Sequence, residues 1–213
     1  MPTVEGAGVE LSFEVRADGP PVLFIHDMGS SAAGAPPLAG RVITYDRRGY
    51  GASGAPDPYA ATTIHEQAED AVAVLRAAAD GPATLVGMGF GALIALDLLV
   101  RHAALASGAV LVDAPAFAFV PSANEPLAAE RLALEEALRA DPHAVSRAAL
   151  ADYAGRASWS PSRRDLRGIE VSVALVVTEG APPHVAAATD ALATYLPRAT
   201  RATDVAGALP GIP

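Results

Sequence analysis

The stretch from Thr84 to Leu99, TLVGMGFGALIALDLL, constrains this chain more than any other. An apolar run enters a cluster of glycines, and a second apolar run leaves it. Two designs have this shape. One is the strand-to-helix turn G-x-S-x-G, which presents a catalytic serine at its middle position. The other is the glycine fingerprint G-x-G-x-x-G/A, which cradles a dinucleotide. Gly89 stands at the middle position, so the first design lacks its nucleophile, while Gly87, Gly89 and Ala92 satisfy the second. Either design makes the segment a strand, a tight turn and a helix.

The rest of the chain repeats that rhythm. Val9–Val15 alternates apolar and polar residues, as a half-buried strand does. Val22–Ile25 is a short apolar run of the kind found in buried parallel strands. Arg41–Tyr45 is the next strand, followed by the glycine-rich DRRGYGASG. Thr63 and Glu66 have the spacing of a capping box. Ile64, Ala68, Ala71, Val72, Leu75 and Ala79 then share one helical face. Ala83–Val86, Ala109–Val112 and Val171–Val177 read as further strands, with Phe90–His102 and His184–Leu196 as helices. Residues 115–168 interrupt the alternation with two short helices, one starting near Pro126 and one at Asp141-Pro142, and then the polar SWSPSRRDLRG. Strands alternating with helices give an α/β fold, a doubly wound, mostly parallel sheet. The core comprises 1–114 and 169–213, with 115–168 as a helical lid.

Composition removes several chemistries. The chain has no cysteine, which excludes disulfides, thiol nucleophiles and cysteine metal sites. All fifteen basic residues are arginine, so Schiff-base chemistry and a P-loop lysine are excluded too. This lysine-free, Ala/Arg-rich usage suggests a high-GC bacterial genome. A formal net charge of −9 with no basic cluster argues against nucleic acid and against an anionic membrane. The longest apolar stretch, Pro82 to Val100, is divided by glycines and broken by Asp97, so no membrane span is expected. No basic segment followed by an apolar one opens the chain, so a cytoplasmic location is expected.

The order of motifs separates the two designs. VLFIHDMGSSAAG, then RVITYDRRGYGASG, then TLVGMGFGALIALDLLVRH resembles the α/β-hydrolase superfamily, in its proline iminopeptidase/haloperoxidase/esterase-like branch. The first segment resembles the oxyanion loop H-G-x. The second resembles D-x-R-G-x-G-x-S, from Asp46 to Ser53, the most specific match. The third resembles the nucleophile elbow. Further on, VALVVTEGAPPH resembles the acid-bearing strand end, and DVAGALPG the histidine loop. A dinucleotide fingerprint normally opens its domain, whereas here about three strands precede it. Asp113, after AVLV, does fit that fingerprint's acidic position.

Carried over residue by residue, the resemblance leaves the triad blank: Gly89 at the nucleophile, Pro182 at the acid and Ala208 at the histidine. An ordinary serine hydrolase is therefore not expected. The resemblance implies an oxyanion hole from the backbone N–H groups of Phe90 and Met28, available for a carbonyl, enolate or carboxylate. Asp27 replaces the family's glycine beside that hole. It reads either as a general acid/base with a raised pKa or as a loop residue capping a neighbouring N–H. His184, near the edge of the sheet, reads either as a base or as a first-turn surface residue. His26 is structural by resemblance, and with Met28, Gly89, Phe90 and Asp113 it marks the substrate region. His65 and His102 read as helix-surface residues. Asp46, Arg47 and Arg48 read as holding their loop. The spacing of His26, Asp27, Asp113 and His184 matches no known ligand pattern, so no metal is expected.

Three functions remain open. One is a cofactor-free, non-hydrolytic enzyme that cyclises, eliminates from or isomerises a small apolar metabolite. The second is a catalytically dead homologue that binds a ligand or a protein. The third is a dinucleotide-binding protein. The family usually adds a final C-terminal helix beyond the histidine loop, and none is expected here. A sheet face left bare by that loss would expose apolar surface and favour a homodimer.

Overall fold

The computed structural model describes residues 1–209, and of Ser158 only the backbone. Eight strands form one sheet: β1 (Thr3–Glu5), β2 (Glu10–Arg16), β3 (Pro21–Ile25), β4 (Arg41–Tyr45), β5 (Ala83–Met88), β6 (Ala106–Val112), β7 (Ser172–Val176) and β8 (Ala199–Ala202). Their spatial order is β1-β2-β4-β3-β5-β6-β7-β8. β1 and β2 pair antiparallel, β2 joins β4 antiparallel, and every later pairing is parallel. The central strands are apolar at almost every position because both of their faces are covered.

Alternation sends successive side chains to opposite faces. Leu23, Ile25, Leu85, Ala109, Leu111 and Leu175 face one layer of core, against helices α1 (Ile64–Ala78) and α2 (Phe90–Arg101). Val22, Phe24, Val86, Val110, Val112 and Val176 face the other. That second face is not bare. Ala35 and Leu38 from the loop after β3 pack on it, and so do Val205, Ala208 and Leu209 around the short helix α7 (Val205–Ala208). Its core residues are buried, and the large hydrophobics exposed among the described residues are Met1, Val15 and Leu132. The exposed apolar face expected from the sequence is therefore absent among the described residues: a loop and one helical turn cover it. No helix among the described residues is long and apolar enough to cross a membrane.

Between β6 and β7 lie α3 (Asn124–Ala140), α4 (Arg147–Ser158) and α5 (Arg163–Arg167). Asp141-Pro142 does not start a helix. Side-chain capping sets the start instead at Ser146, which accepts a hydrogen bond from the Ala149 N–H and opens α4. α5, unread in SWSPSRRDLRG, forms on a capping box between Ser162 and Asp165. At α1, Thr63 caps the Glu66 N–H as expected. The Glu66 carboxylate does not complete the box. It meets Thr62 and pairs with Arg48 at 2.6 Å, because that buried guanidinium needs a counter-charge. Helix α6 (Pro183–Tyr195) then returns the chain to edge strand β8.

Candidate functional site

The loop after β3 and the turn after β5 meet where the parallel strands end, the usual ligand edge of such sheets. Gly89 makes that turn with φ +51° and ψ −116°. Glycine adopts a positive φ at no steric cost. Gly91, in the first turn of α2, lets the helix approach β3: a Cβ there would lie 2.1 Å from the Ile25 carbonyl oxygen. The glycine cluster thus serves a tight turn and a close helix–strand contact.

Asp27 closes over this turn. Its Oδ1 accepts hydrogen bonds from the N–H of Met28 and the N–H of Phe90, each at 2.7 Å. These are the two amides expected to be available for an oxyanion. They are occupied, because a negatively charged acceptor from the same loop reaches both. Oδ2 makes no hydrogen bond among the described residues. A Cβ on Gly89 would lie 2.1 to 2.3 Å from the Asp27 carboxyl atoms. Burial pushes the Asp27 pKa up, while the amides of Phe90 and Met28 and the Arg47 charge pull it back, and the balance is upward. A dinucleotide phosphate approaching the start of α2 would meet this carboxylate first, so the third reading loses its anion site.

His26, one residue earlier, is fully buried. Its Nε2 lies 3.0 Å from the Arg47 N–H and must accept, so Nδ1 carries the proton and donates to the Asp27 carbonyl at 2.8 Å. Burial, helped by Arg47, lowers its pKa to about 3. A neutral ring with both nitrogens engaged positions the loop and is not free for proton transfer.

Behind the loop, Arg47 donates to the carbonyls of His26 and Asp27, to Gln67, and to Asp152 of α4 at 2.7 Å. Asp152 also accepts from the Tyr50 hydroxyl and from Gln67. The Tyr50 oxygen in turn accepts from the Gly29 N–H. Arg48 pairs with Asp70 at 2.6 Å, and Asp46 accepts from the N–H groups of Ala32 and Ala52. The segment Asp46–Ser53 therefore does hold its loop, as the sequence suggested. It also ties α4 to the loop of Asp27, which the sequence did not suggest.

The remaining candidates separate. Asp113 has φ +49° and is cross-linked to Thr178, whose N–H and hydroxyl both donate to its carboxylate. His184 packs its ring against Phe117, with centroids 5.2 Å apart, and neither of its nitrogens is hydrogen bonded among the described residues. Asp27, Met28, Gly89, Phe90, Asp113, Pro182 and His184 all border one cavity of about 420 Å³. Ala208 does not. It is buried on the opposite sheet face, beside Val110 and Val112, because α7 folds under the sheet. His26 lies behind the wall. Of the two helix-surface histidines, His65 is exposed and pairs with buried Asp97 at 2.7 Å, and His102 meets Glu69 at 2.9 Å.

The far wall comes from residues the sequence did not single out. Arg156 lies over the rings of Phe117 and Tyr153 and pairs with Glu130 of α3 at 2.8 Å. Pro115, Phe117, Pro126, Glu130 and Arg156 complete the cavity with Val185. No motif marks them, since Ala, Leu, Glu and Arg dominate the whole segment.

Residues 22–212 match the alpha/beta hydrolase family. The chain belongs to that family. The eight-stranded, mostly parallel sheet with flanking helices matches the α/β-hydrolase fold. Similar solved structures include an alpha/beta hydrolase from Sphaerobacter thermophilus, with 24% identity and a TM-score of 0.72 over 95% of this chain and 91% of that one. Another is an enol-lactonase from Burkholderia xenovorans, with 20% identity and a TM-score of 0.71 over 95% and 91%. At these identities the likeness concerns the fold. A curated relative, the uncharacterized hydrolase YraK of Bacillus subtilis, is 31% identical over 106 residues. The match spans 47% of this chain and 39% of that relative.

Proposed function

We propose that this α/β-hydrolase-fold protein has lost serine-triad hydrolysis and acts on a small, largely apolar molecule by proton transfer, without a cofactor. The resemblance puts Gly89, Pro182 and Ala208 at the nucleophile, acid and histidine positions; Gly89 and Pro182 border the cavity, whereas Ala208 lies on the opposite sheet face. None of the three side chains can take or give a proton at pH 7.

One observation carries the reading. Asp27 uses Oδ1 to fill both turn amides and leaves Oδ2 without a protein partner at a cavity. A carboxylate held from one side is a positioned base on the other, and a raised pKa brings it closer to the working pH of a general base. A proton leaving the ligand passes to Oδ2, and His184 on the same cavity can return one elsewhere on the molecule. Isomerisation, elimination and cyclisation all need such a transfer and no covalent intermediate. Residues 115–168 act as the lid over it.

A panel of small carbonyl compounds and amines, incubated with the protein in D2O and followed by proton NMR, tests this. Deuterium uptake or rearrangement is expected with the wild type and lost in Asp27→Asn. Ester hydrolysis that survives Asp27→Asn would overturn it.

The unpartnered His184 ring favours a second reading. With no acid to orient it, the cavity binds a ligand without turning it over. Binding without exchange would select that reading.

A further inference from the structure

We infer that the cavity takes its ligand by a positively charged nitrogen: a small apolar molecule whose protonated amine donates to Asp27 Oδ2. The inference rests on the reading of this cavity as the functional site and names the chemistry of what enters it.

The argument is one of polarity. An acyl-transfer site offers two free N–H donors and therefore seats an acceptor, the carbonyl oxygen. Here both donors are spent on Asp27 Oδ1 at 2.7 Å. What a ligand meets at the turn is Oδ2, which only accepts. A carbonyl or carboxylate would face a like partner there, whereas an N–H donor gains a charge-assisted hydrogen bond. The same scaffold position has changed from donor to acceptor.

Charge decides between a neutral donor and a cation. Arg47 stands behind Asp27, but its charge is matched by buried Asp152 at 2.7 Å. Arg156, on the far wall, is matched by Glu130 at 2.8 Å. Asp113 borders the cavity, and among the described residues its carboxylate accepts only from Thr178, a neutral residue. Among the described residues neither Asp27 nor Asp113 has a paired cation, and a ligand ammonium supplies one. A carboxylate ligand would have to displace Glu130 from Arg156 and lie beside two uncompensated carboxylates.

Three probes of one shape separate these cases: benzylamine, benzyl alcohol and benzoate, titrated into the full chain at pH 7.5 and followed by NMR and calorimetry. Benzylammonium should bind at least about tenfold more tightly than benzyl alcohol, with its affinity falling as salt is raised, and benzoate should not bind. Asp27→Asn should remove most of the amine preference, bringing the amine to within about twofold of the alcohol. Asp113→Asn, which leaves the turn untouched, should weaken the amine by a smaller factor. A wild-type-like thermal midpoint checks that each variant is folded. If the alcohol or benzoate binds as tightly as the amine, the inference fails while the cavity stands as a site. If no probe binds, the reading of the cavity fails and the inference with it.

Discussion

Asp27 and Gly89 share one volume. The carboxyl atoms of Asp27 lie 2.1 to 2.3 Å from where a side chain at position 89 would begin, so Asp27 can hold this position only with glycine at 89. The pairing explains the glycine better than relief of turn strain alone. Alanine would relieve no strain at φ +51° and would still collide with the carboxylate.

A serine at position 89 is therefore expected to be costly in this chain. Gly89→Ser adds about 1–3 kcal/mol of backbone strain and detaches Asp27 from two charge-assisted hydrogen bonds. We expect a loss of about 3 kcal/mol in chemical denaturation. Adding Asp27→Gly removes the obstruction, so the double variant should recover at least about 1 kcal/mol over additivity. Strictly additive losses would show that the two residues do not compete for space.

The buried pair Arg47–Asp152 carries a separate prediction. Both side chains are almost fully buried, and Asp152 holds Tyr50 and Gln67 as well. Asp152→Ala leaves a buried guanidinium without its counter-charge, at a cost of about 3–5 kcal/mol. Replacing both partners, as Arg47→Met with Asp152→Leu, should regain more than half of that loss. Equal destabilisation of the single and double variants would assign the cost to packing rather than to the stranded charge.

Sequence pattern revealed the sheet because apolar runs such as Val22–Ile25 and Arg41–Tyr45 have no other stable use. β4 begins and ends where its pattern does. Edge strands escaped it: Ala199–Ala202 reads ATRA, with two exposed residues and no apolar face. The site was legible as a place, since Asp27, Met28, Gly89, Phe90, Asp113 and His184 do border one cavity. Its hydrogen bonding was legible only in part. The reading of Asp27 as a loop residue capping a neighbouring N–H holds at Met28, but nothing in HDM tells that the same oxygen would also reach Phe90 and so fill both turn amides. Asp152 escaped for a similar reason, being 105 residues from Arg47 in a helix without a motif.

Acid should weaken the fold through His26. Its pKa falls from about 6.5 unfolded to about 3 folded, so between those values the unfolded state binds the extra proton. Stability contributed by the neutral ring is complete above pH 6.5 and is lost as pH falls towards 3. The full shift corresponds to about 5 kcal/mol. Urea midpoints measured from pH 7.5 down to 4 should fall steadily, and His26→Asn should show a shallower slope from a lower starting stability. An unchanged slope in the variant would place the acid sensitivity in other groups.

Helix α3 should open long before the core does. None of its seventeen residues is buried, whereas ten of the twelve in α2 are. Leu127, Leu134 and Leu138 are only half-buried, and Leu132 points outward, 59% exposed. The tie that connects α3 to the cavity wall is the Glu130–Arg156 pair, a partly exposed ion pair of the kind that contributes about 1 kcal/mol or less. Opening free energies follow buried contact, so α3 amides should exchange at least roughly a hundredfold faster than those of α2. Glu130→Ala should speed α3 further, by up to about fivefold, and leave α2 unchanged. A cavity ligand should slow exchange in α3, because Pro126 and Glu130 border the space it fills. Protection of α3 equal to that of α2 would mean that the helix is part of the cooperative core.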